Sequence, residues 1–511
     1  MALISDVPML GLAPFLSWLP LLLLSLPIWQ AIYNIFLHPL RKYPGPKFAA
    51  VSSVYSTYWD CIGKHHAQIK DLHDQYGDVI RWAPGTLVYR NPNAWTEIYG
   101  HRKHGAESFQ KDPKFYRPGP SGVSLIGAND TDHARQRRLL SHAFSDKALS
   151  EQEPLIQSYV DLLITRLRAM AKASKLLDIA EWYDYTAFDI IGDLTFGESL
   201  SCLQDSRYHS WVPLILQTLK ASVFVRVILN YIPPWLLRPL FPPRLKEMRN
   251  SHYRLAAERL DRRVNMQTDR PDFMSYILKH NDERGMTEAE IQGIAAILMV
   301  AGTETSATWL SGCTYYLLKT PPVYKKLQEE IRGSFHKHED ITFLSVAQLP
   351  YLQCVIEESL RIYPPGSGFL PRQVLGAGAY INGQYVPGGT TVGVCVFSTL
   401  RSSNNFVDPD SFLPERWMLN NRDPRFDADK REAMQPFSHG PRNCIGRNLA
   451  YTEMRLILAR ILWEFDLTLG DGCSNWEKQA AYVAWQKEPL MVKLTPARNG
   501  LVMYLGLGVS T

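Results

Sequence analysis

The sequence predicts a mainly α chain with small β-sheets, set behind an N-terminal transmembrane helix. Three observations carry this prediction. From Val7 to Leu40 there is no Asp, Glu, Lys or Arg, a run long enough to cross a bilayer as a helix. From Ile291 to Leu318 the only charged residue is Glu304, so this second long apolar helix must pass through the protein interior. Tyr380-Ile381-Asn382-Gly383-Gln384-Tyr385 reads as a hairpin with Asn-Gly at its turn, a small strand pair.

In chain order, residues 1–40 form the expected membrane anchor, with the spanning helix at about 15–37. Trp18, Trp29 and Tyr33 suit the membrane interfaces, and Pro14, Pro20 and Pro27 suit kinks. A cleaved signal peptide is disfavoured by Asp6, by the lack of basic residues at the start and by the lack of a small-residue cleavage site. Arg41, Lys42 and Lys47 follow the span, which places the bulk of the chain on the cytosolic side. Tyr43-Pro44-Gly45-Pro46 breaks the helix, so residues 41–48 are expected to be a stiff hinge before a globular domain over 49–511. A chain of 511 residues exceeds the usual single-core size, so one large or two intimate domains are expected.

Four helices follow from pattern. Asp132 to Arg138 opens one that continues through Leu139, Leu140, Ala143 and Phe144. Thr287-Glu288-Ala289-Glu290 is a capping box, and Thr320-Pro321-Pro322 closes the helix that it opens. Within that helix a buried Glu304 costs several kcal/mol unless paired or hydrated, which marks it for function. Leu349-Pro350 precedes a third helix, ended by Pro364-Pro365, in which Glu358 and Arg361 face the same side. The fourth carries Ile445, Leu449, Leu456, Ala459 and Trp463 in a 3.6-residue rhythm.

Just before it stands Phe437-Ser438-His439-Gly440-Pro441-Arg442-Asn443-Cys444-Ile445-Gly446. Two glycines let backbone approach a bound group, and a cysteine at a helix N-terminus is expected to favour the thiolate. A thiolate is an iron ligand, whereas a buried free cysteine in a Gly-rich turn is the competing reading. The other six cysteines, Cys61, Cys202, Cys313, Cys354, Cys395 and Cys473, form no C-x-x-C pair. A zinc site or disulfide framework is therefore not expected, and a reducing compartment is the default. With 55 basic against 50 acidic residues, the charge is too balanced for nucleic-acid binding.

The loop pattern F-x-x-G-x-R-x-C-x-G resembles the haem-binding loop of the cytochrome P-450 family at every position. Ala301-Gly302-Thr303-Glu304-Thr305 resembles the family's A-G-x-[DE]-T motif, and Glu358-x-x-Arg361 with Pro414-Glu415-Arg416-Trp417 resembles its structural triad. The resemblance spans the anchor to about residue 490. It implies the P-450 fold, haem b (iron protoporphyrin IX) as cofactor and Cys444 as the axial iron ligand. It implies that Glu304 and Thr305 relay protons and that the small Ala301 and Gly302 leave room for dioxygen. The family's W-x-x-x-R helix is represented by His133 and Arg137. These two, with Arg372 and Arg442, would meet the haem propionates, and Phe437 and Gly446 would frame the haem. Glu358, Arg361 and Arg416 would be structural.

The resemblance further implies a basic face of Arg135, Arg138, Lys430, Arg431 and Arg447 around Cys444, suited to an acidic electron donor. That donor would be a membrane-bound NADPH-dependent flavoprotein reductase, with cytochrome b5 a second candidate. It is not fused here, since no Gly-rich nucleotide motif follows a strand. Five cavity walls are expected: 121–126, 223–236, 298–301, 367–369 and 485–488. Ser124, Ile126, Leu298, Ala301, Phe369 and Trp485 represent them. No carboxylate-binding Arg is apparent, so a neutral lipophilic substrate is expected. The Cys444 helix, Phe36-Leu37-His38-Pro39-Leu40 and the Asp132-His133 helix start are similar to fungal secondary-metabolism members, notably the isotrichodermin hydroxylase branch. That likeness implies hydroxylation or epoxidation of a terpenoid or polyketide at the endoplasmic reticulum membrane. A haem-thiolate isomerase or dehydratase, or a sterol or fatty-acid hydroxylase, is the alternative. On the cytosolic side the sequon Asn129-Asp130-Thr131 would go unglycosylated.

Overall fold

The computed structural model describes residues 25–497 except 102–107, 118–123, 234–235, 237–241, 267, 269, 283–284 and 421. The first part of the expected membrane span, up to residue 24, and the start of the first cavity wall lie outside the described residues. The rest of the span is helical from residue 25 to Leu37, with Leu26, Ile28, Trp29, Phe36 and Leu37 exposed.

The elements that build the site are helices α1 (Val54–Cys61), α2 (His65–Tyr76), α3 (Asp130–Ala143), α4 (Asp146–Lys172), α5 (Ile179–Phe196), α6 (Trp211–Tyr231), α7 (Glu288–Lys319), α8 (Pro350–Ile362) and α9 (Arg447–Glu464). Among the described residues, ten short strands, β1 (Val79–Ala83), β2 (Thr86–Tyr89), β3 (Gln110–Lys111), β4 (Leu176–Asp178), β5 (Arg372–Gln373), β6 (Ala379–Ile381), β7 (Gln384–Val386), β8 (Thr391–Val394), β9 (Phe465–Leu469) and β10 (Met491–Pro496), complete the frame. They form sheets ordered β1-β2-β8-β5-β3 and β4-β10-β9, and the hairpin β6-β7. Asn382 and Gly383 sit at φ 50° and 72°, the left-handed pair that an Asn-Gly hairpin turn requires.

α7 is the axis of the molecule. Thr287 and Glu290 close its capping box, and its side chains are buried on nearly every side against α5. Trp309, Leu310 and Cys313 are fully enclosed there, and each large apolar side chain so buried contributes about 1.5–3 kcal/mol. α3 starts two residues before the expected Asp132, because the Asn129 side chain accepts the Asp132 N–H at 2.9 Å and caps the helix. The sequon asparagine is thus a helix cap.

The expected structural triad is assembled and fully buried. Arg361 Nε and Nη2 donate to Glu358 at 2.8 Å each, and Arg416 Nε lies 3.1 Å from the same carboxylate. Asp429 takes Arg416 Nη1 at 2.6 Å, and Trp417 Nε1 donates to Glu358 at 2.9 Å. Segment 41–48 is fastened onto β1, where Arg81 N–H donates to the Pro44 carbonyl at 2.7 Å, and the helical turn before it is held by Arg81 Nη1 donating to the Asn34 carbonyl at 2.8 Å.

Candidate active site

A cavity of about 840 Å³ lies between the cysteine loop, α7, the β3–β5 edge and the α1–α6 wall. Cys444 borders it and is open to its interior. The loop is held from both sides. Cys444 N–H donates to the Phe437 carbonyl at 2.9 Å, and Arg137 donates to both the Asn443 carbonyl and Oδ1 at 2.6 Å. Gly440 has φ +75°, and a Cβ there would meet the Tyr99 carbonyl oxygen at 2.0 Å. The close approach that needs this glycine is thus to Tyr99 backbone.

The expected thiolate preference is not carried by the protein alone. α9 begins at Arg447 with Gly446 as its cap, so the sulfur precedes the helix. Burial pushes the Cys444 thiol up, opposed by the Gly446 N–H and by Arg137 and Arg447. Coordination to a metal deprotonates such a thiol outright.

Three cations converge at another edge of the cavity. Arg442 is fixed by Asp130 and by the Ala128 carbonyl, each at 2.7 Å, yet its buried Nη1 has no partner. Arg372 donates Nη1 to the Phe109 carbonyl at 3.2 Å, yet its buried Nε has none. Lys111 pairs directly across from Arg372 in the β3–β5 register. Burial, then Arg372 and Arg442, push the Lys111 amine down to about 7. His133 is buried behind them, brought to about 4 by burial, then Arg442, Arg137 and Lys111, so its ring is neutral at pH 7. Orphaned donors on a buried cationic cluster are the complement of an absent carboxylate. His133 and Arg137 do not border the cavity; Arg137 is spent on the cysteine loop. Lys111 had no sequence signal, since its strand is two residues long.

The acid and the alcohol of α7 part company. Thr305 borders the cavity and back-bonds to the Ala301 carbonyl at 2.5 Å. The next-door Glu304 points away. It takes Lys487 Nζ at 2.8 Å and the Thr308 hydroxyl at 3.0 Å, and Asp184 shares the same lysine at 3.0 Å. Burial raises the Glu304 carboxyl and Lys487 works against that. The paired acid expected at the cavity is therefore an internal ion-pair member, because adjacent helical positions point about 100° apart. Gly302 makes room for Ile191, whose side chain would lie 2.5 Å from an added Cβ. A second acid, Glu453 of α9, borders the cavity instead, accepts the Ser306 hydroxyl at 2.8 Å and is pushed up to about 7 by burial.

Ile126, Leu298, Ala301 and Phe369 line the cavity as expected, as do Phe437, Gly446, Arg372 and Arg442. Trp485 does not: it is buried, donates Nε1 to the Pro364 carbonyl at 2.8 Å and stacks on Tyr363. Its neighbours Tyr482 and Val483 take the wall position. Ser124 is a turn residue whose carbonyl accepts the Gly127 and Ala128 N–H groups, and it is not on the wall. Arg226 of α6 also lines the cavity, together with Asp60 of α1. Of the expected basic face, Arg135 is consumed by Glu290 and Asp132, and Arg431 donates to the Arg416 carbonyl. Arg138 and Arg447 are exposed.

The family model for cytochrome P450 matches residues 54–494. The chain belongs to the cytochrome P450 family. Cytochrome P450 monooxygenase astJ of Aspergillus oryzae is 49% identical over 473 residues, 92% of this chain and 94% of that protein. Cytochrome P450 monooxygenase atr2 of Stereocaulon alpinum is 45% identical over 92% of this chain and 93% of its own length. Averantin hydroxylase of Dothistroma septosporum is 41% identical over 95% and 92%. The protein is accordingly a haem-thiolate monooxygenase, an oxidoreductase of the type found in fungal secondary metabolism. The cavity fits a haem: a sulfur open to it, apolar faces at Leu298, Phe437 and Ile445, and unpartnered donors on Arg442 and Arg372.

Proposed function

We propose that Cys444 is the axial ligand of haem b and that the cavity beside Thr305 receives a lipophilic secondary metabolite, of terpenoid or polyketide type, for hydroxylation or epoxidation. The observation that carries this is the sulfur of Cys444 and the hydroxyl of Thr305 bordering one cavity at whose edge Arg442 and Arg372 each keep one buried donor without a partner. The haem, when bound, supplies the one-electron chemistry that activates O₂. Arg372, Arg442 and Lys111 neutralise its carboxylates, with His133 behind them. Arg137 holds the cysteine loop through Asn443. Thr305 presents its hydroxyl where a proton is needed, and α7 excludes bulk water.

Electrons come from a separate NADPH-dependent flavoprotein reductase, with cytochrome b5 as second donor, docking by acidic groups near Arg138 and Arg447. Residues 1–40 anchor the chain as a single span in the endoplasmic reticulum membrane, with residues 49–511 as the cytosolic catalytic domain. The exposed apolar side chains Phe48, Val54 and Tyr58, beside Phe224, Ile228 and Tyr231 of α6, support contact with the membrane surface. The test is a carbon monoxide difference spectrum of the reduced protein, followed by product formation with NADPH and reductase. A Soret band at the thiolate position and NADPH-dependent oxygenation are expected. Its absence, or turnover without O₂, would refute the reading.

A further inference from the structure

One part of the cavity wall comes from α1 and α6 and serves none of the haem contacts described above. Arg226 projects from α6 with its guanidinium centre 4.3 Å from the Phe115 ring centroid. Stacking of this kind holds the guanidinium plane and leaves its edge donors available. Among the described residues, none of those donors is taken by a hydrogen bond and no carboxylate lies within ion-pair distance. The groups that act on it electrically are Asp60, Tyr116, Cys61 and Arg117, a set separate from the Arg137 and Arg447 that act on Cys444.

Asp60 faces the same recess, 3.8 Å from His65 Nδ1, and that buried nitrogen has no hydrogen-bond partner. All three side chains line the cavity. Burial raises the Asp60 carboxyl and lowers the His65 imidazole, so both tend toward neutrality. Arg226 cannot follow, because a guanidinium stays protonated at any working pH. A fixed cation in a largely apolar chamber is costly unless an anion meets it. Asp60 and His65 add hydroxyl-binding groups beside that anion position.

We propose that Arg226 pairs with an anionic oxygen of the substrate, a carboxylate or an acidic phenolate, and makes the enzyme selective for lipophilic organic acids. The proposal deepens the monooxygenase reading and rests on it only for treating the cavity as the substrate site. The selectivity is a positioning effect, since anchoring one end of a substrate fixes which carbon reaches the haem side.

Calorimetric titration of the haem-loaded protein at pH 8 tests this with two matched probe pairs. One pair is dodecanoate and methyl dodecanoate; the other is 4-hexyl-2-nitrophenol and its methyl ether. Wild type is expected to bind at least one anionic probe about tenfold more tightly than its neutral partner, the equivalent of about 1.4 kcal/mol. Preference within the first pair alone assigns a carboxylate, and within the second alone a phenolate. Arg226→Met should abolish the preference, so that the affinities for the anionic and neutral members of each pair converge, and Arg226→Lys should keep part of it. No preference in wild type for either pair, or the same preference in Arg226→Met, overturns the proposal. The carbon monoxide spectrum of the same samples judges the haem-thiolate reading independently.

Discussion

Two clusters of buried arginine stand in contrast. Around Glu358, every charged group is answered: Arg361 and Arg416 share that carboxylate, Asp429 takes the outer face of Arg416, and backbone carbonyls take the remaining donors. Around Arg442, the cations outnumber the anions, and buried donors on Arg442 and Arg372 meet nothing. The first cluster is complete in the polypeptide, and the second becomes complete only with a guest that brings carboxylates. The accounting of buried donors thus separates a structural network from a binding site, although both are built from the same residue type.

The largest effect expected on the open side is from Cys444→Ala. It should abolish haem retention and turnover altogether, read as loss of the Soret band, while circular dichroism stays native. The largest stability effect belongs to the closed cluster. Glu358→Ala leaves two guanidinium groups buried without their shared carboxylate and should cost about 3–5 kcal/mol in denaturant unfolding. Failure of that variant to lose stability would erase the contrast.

The open cluster should respond in the opposite sense. Arg442→Leu and Lys111→Met should each weaken haem retention, measured by transfer to apomyoglobin, while destabilising the haem-free protein less than Glu358→Ala does. Lys111 sharpens this through pH. Its folded-state value near 7 lies below the ordinary lysine value of about 10.4, so the unfolded chain binds the extra proton between these limits. Stability of the haem-free wild type should therefore rise as pH increases from about 7 to about 10, relative to Lys111→Met. An identical pH slope in the two proteins would show that Lys111 is already compensated.

The contrast also explains what could be read from sequence. Glu358, Arg361 and Arg416 were legible because a closed network needs fixed residue types at fixed spacing on α8 and the Pro414–Trp417 turn. The Cys444 loop was legible for the same reason, as were the capping box of α7 and the Asn382-Gly383 hairpin. Asp429, Lys111, Lys487 and Arg226 were not, because each meets its partners only through tertiary packing. Lys487 is the instructive case: nothing near it in sequence announces Glu304, 183 residues away. Trp485 was misplaced for a related reason, since in an irregular segment a two-residue difference decides which side chain faces the cavity. Glu304 was correctly read as buried and in need of a partner or water, but its direction around α7 depended on a partner the sequence does not announce.

That direction yields the finest test. Thr305→Ala removes a hydroxyl that faces the cavity and costs the helix only a back-bond to Ala301. Haem content and unfolding should change little, while product per NADPH falls roughly 100-fold, the lower end of the range for a positioned proton donor. The lost reducing equivalents should appear as hydrogen peroxide. Glu304→Gln acts on the other side of the helix, leaving Lys487 with Asp184 as its one carboxylate. It should cost stability first and lower coupling less than Thr305→Ala does. If Glu304→Gln instead uncouples as strongly as Thr305→Ala with unchanged unfolding, the carboxylate must leave Lys487 and swing to the cavity during turnover. If Thr305→Ala couples as well as wild type, the hydroxyl has no part in proton delivery, and the buried Glu453–Ser306 pair at the same cavity becomes the group to mutate next.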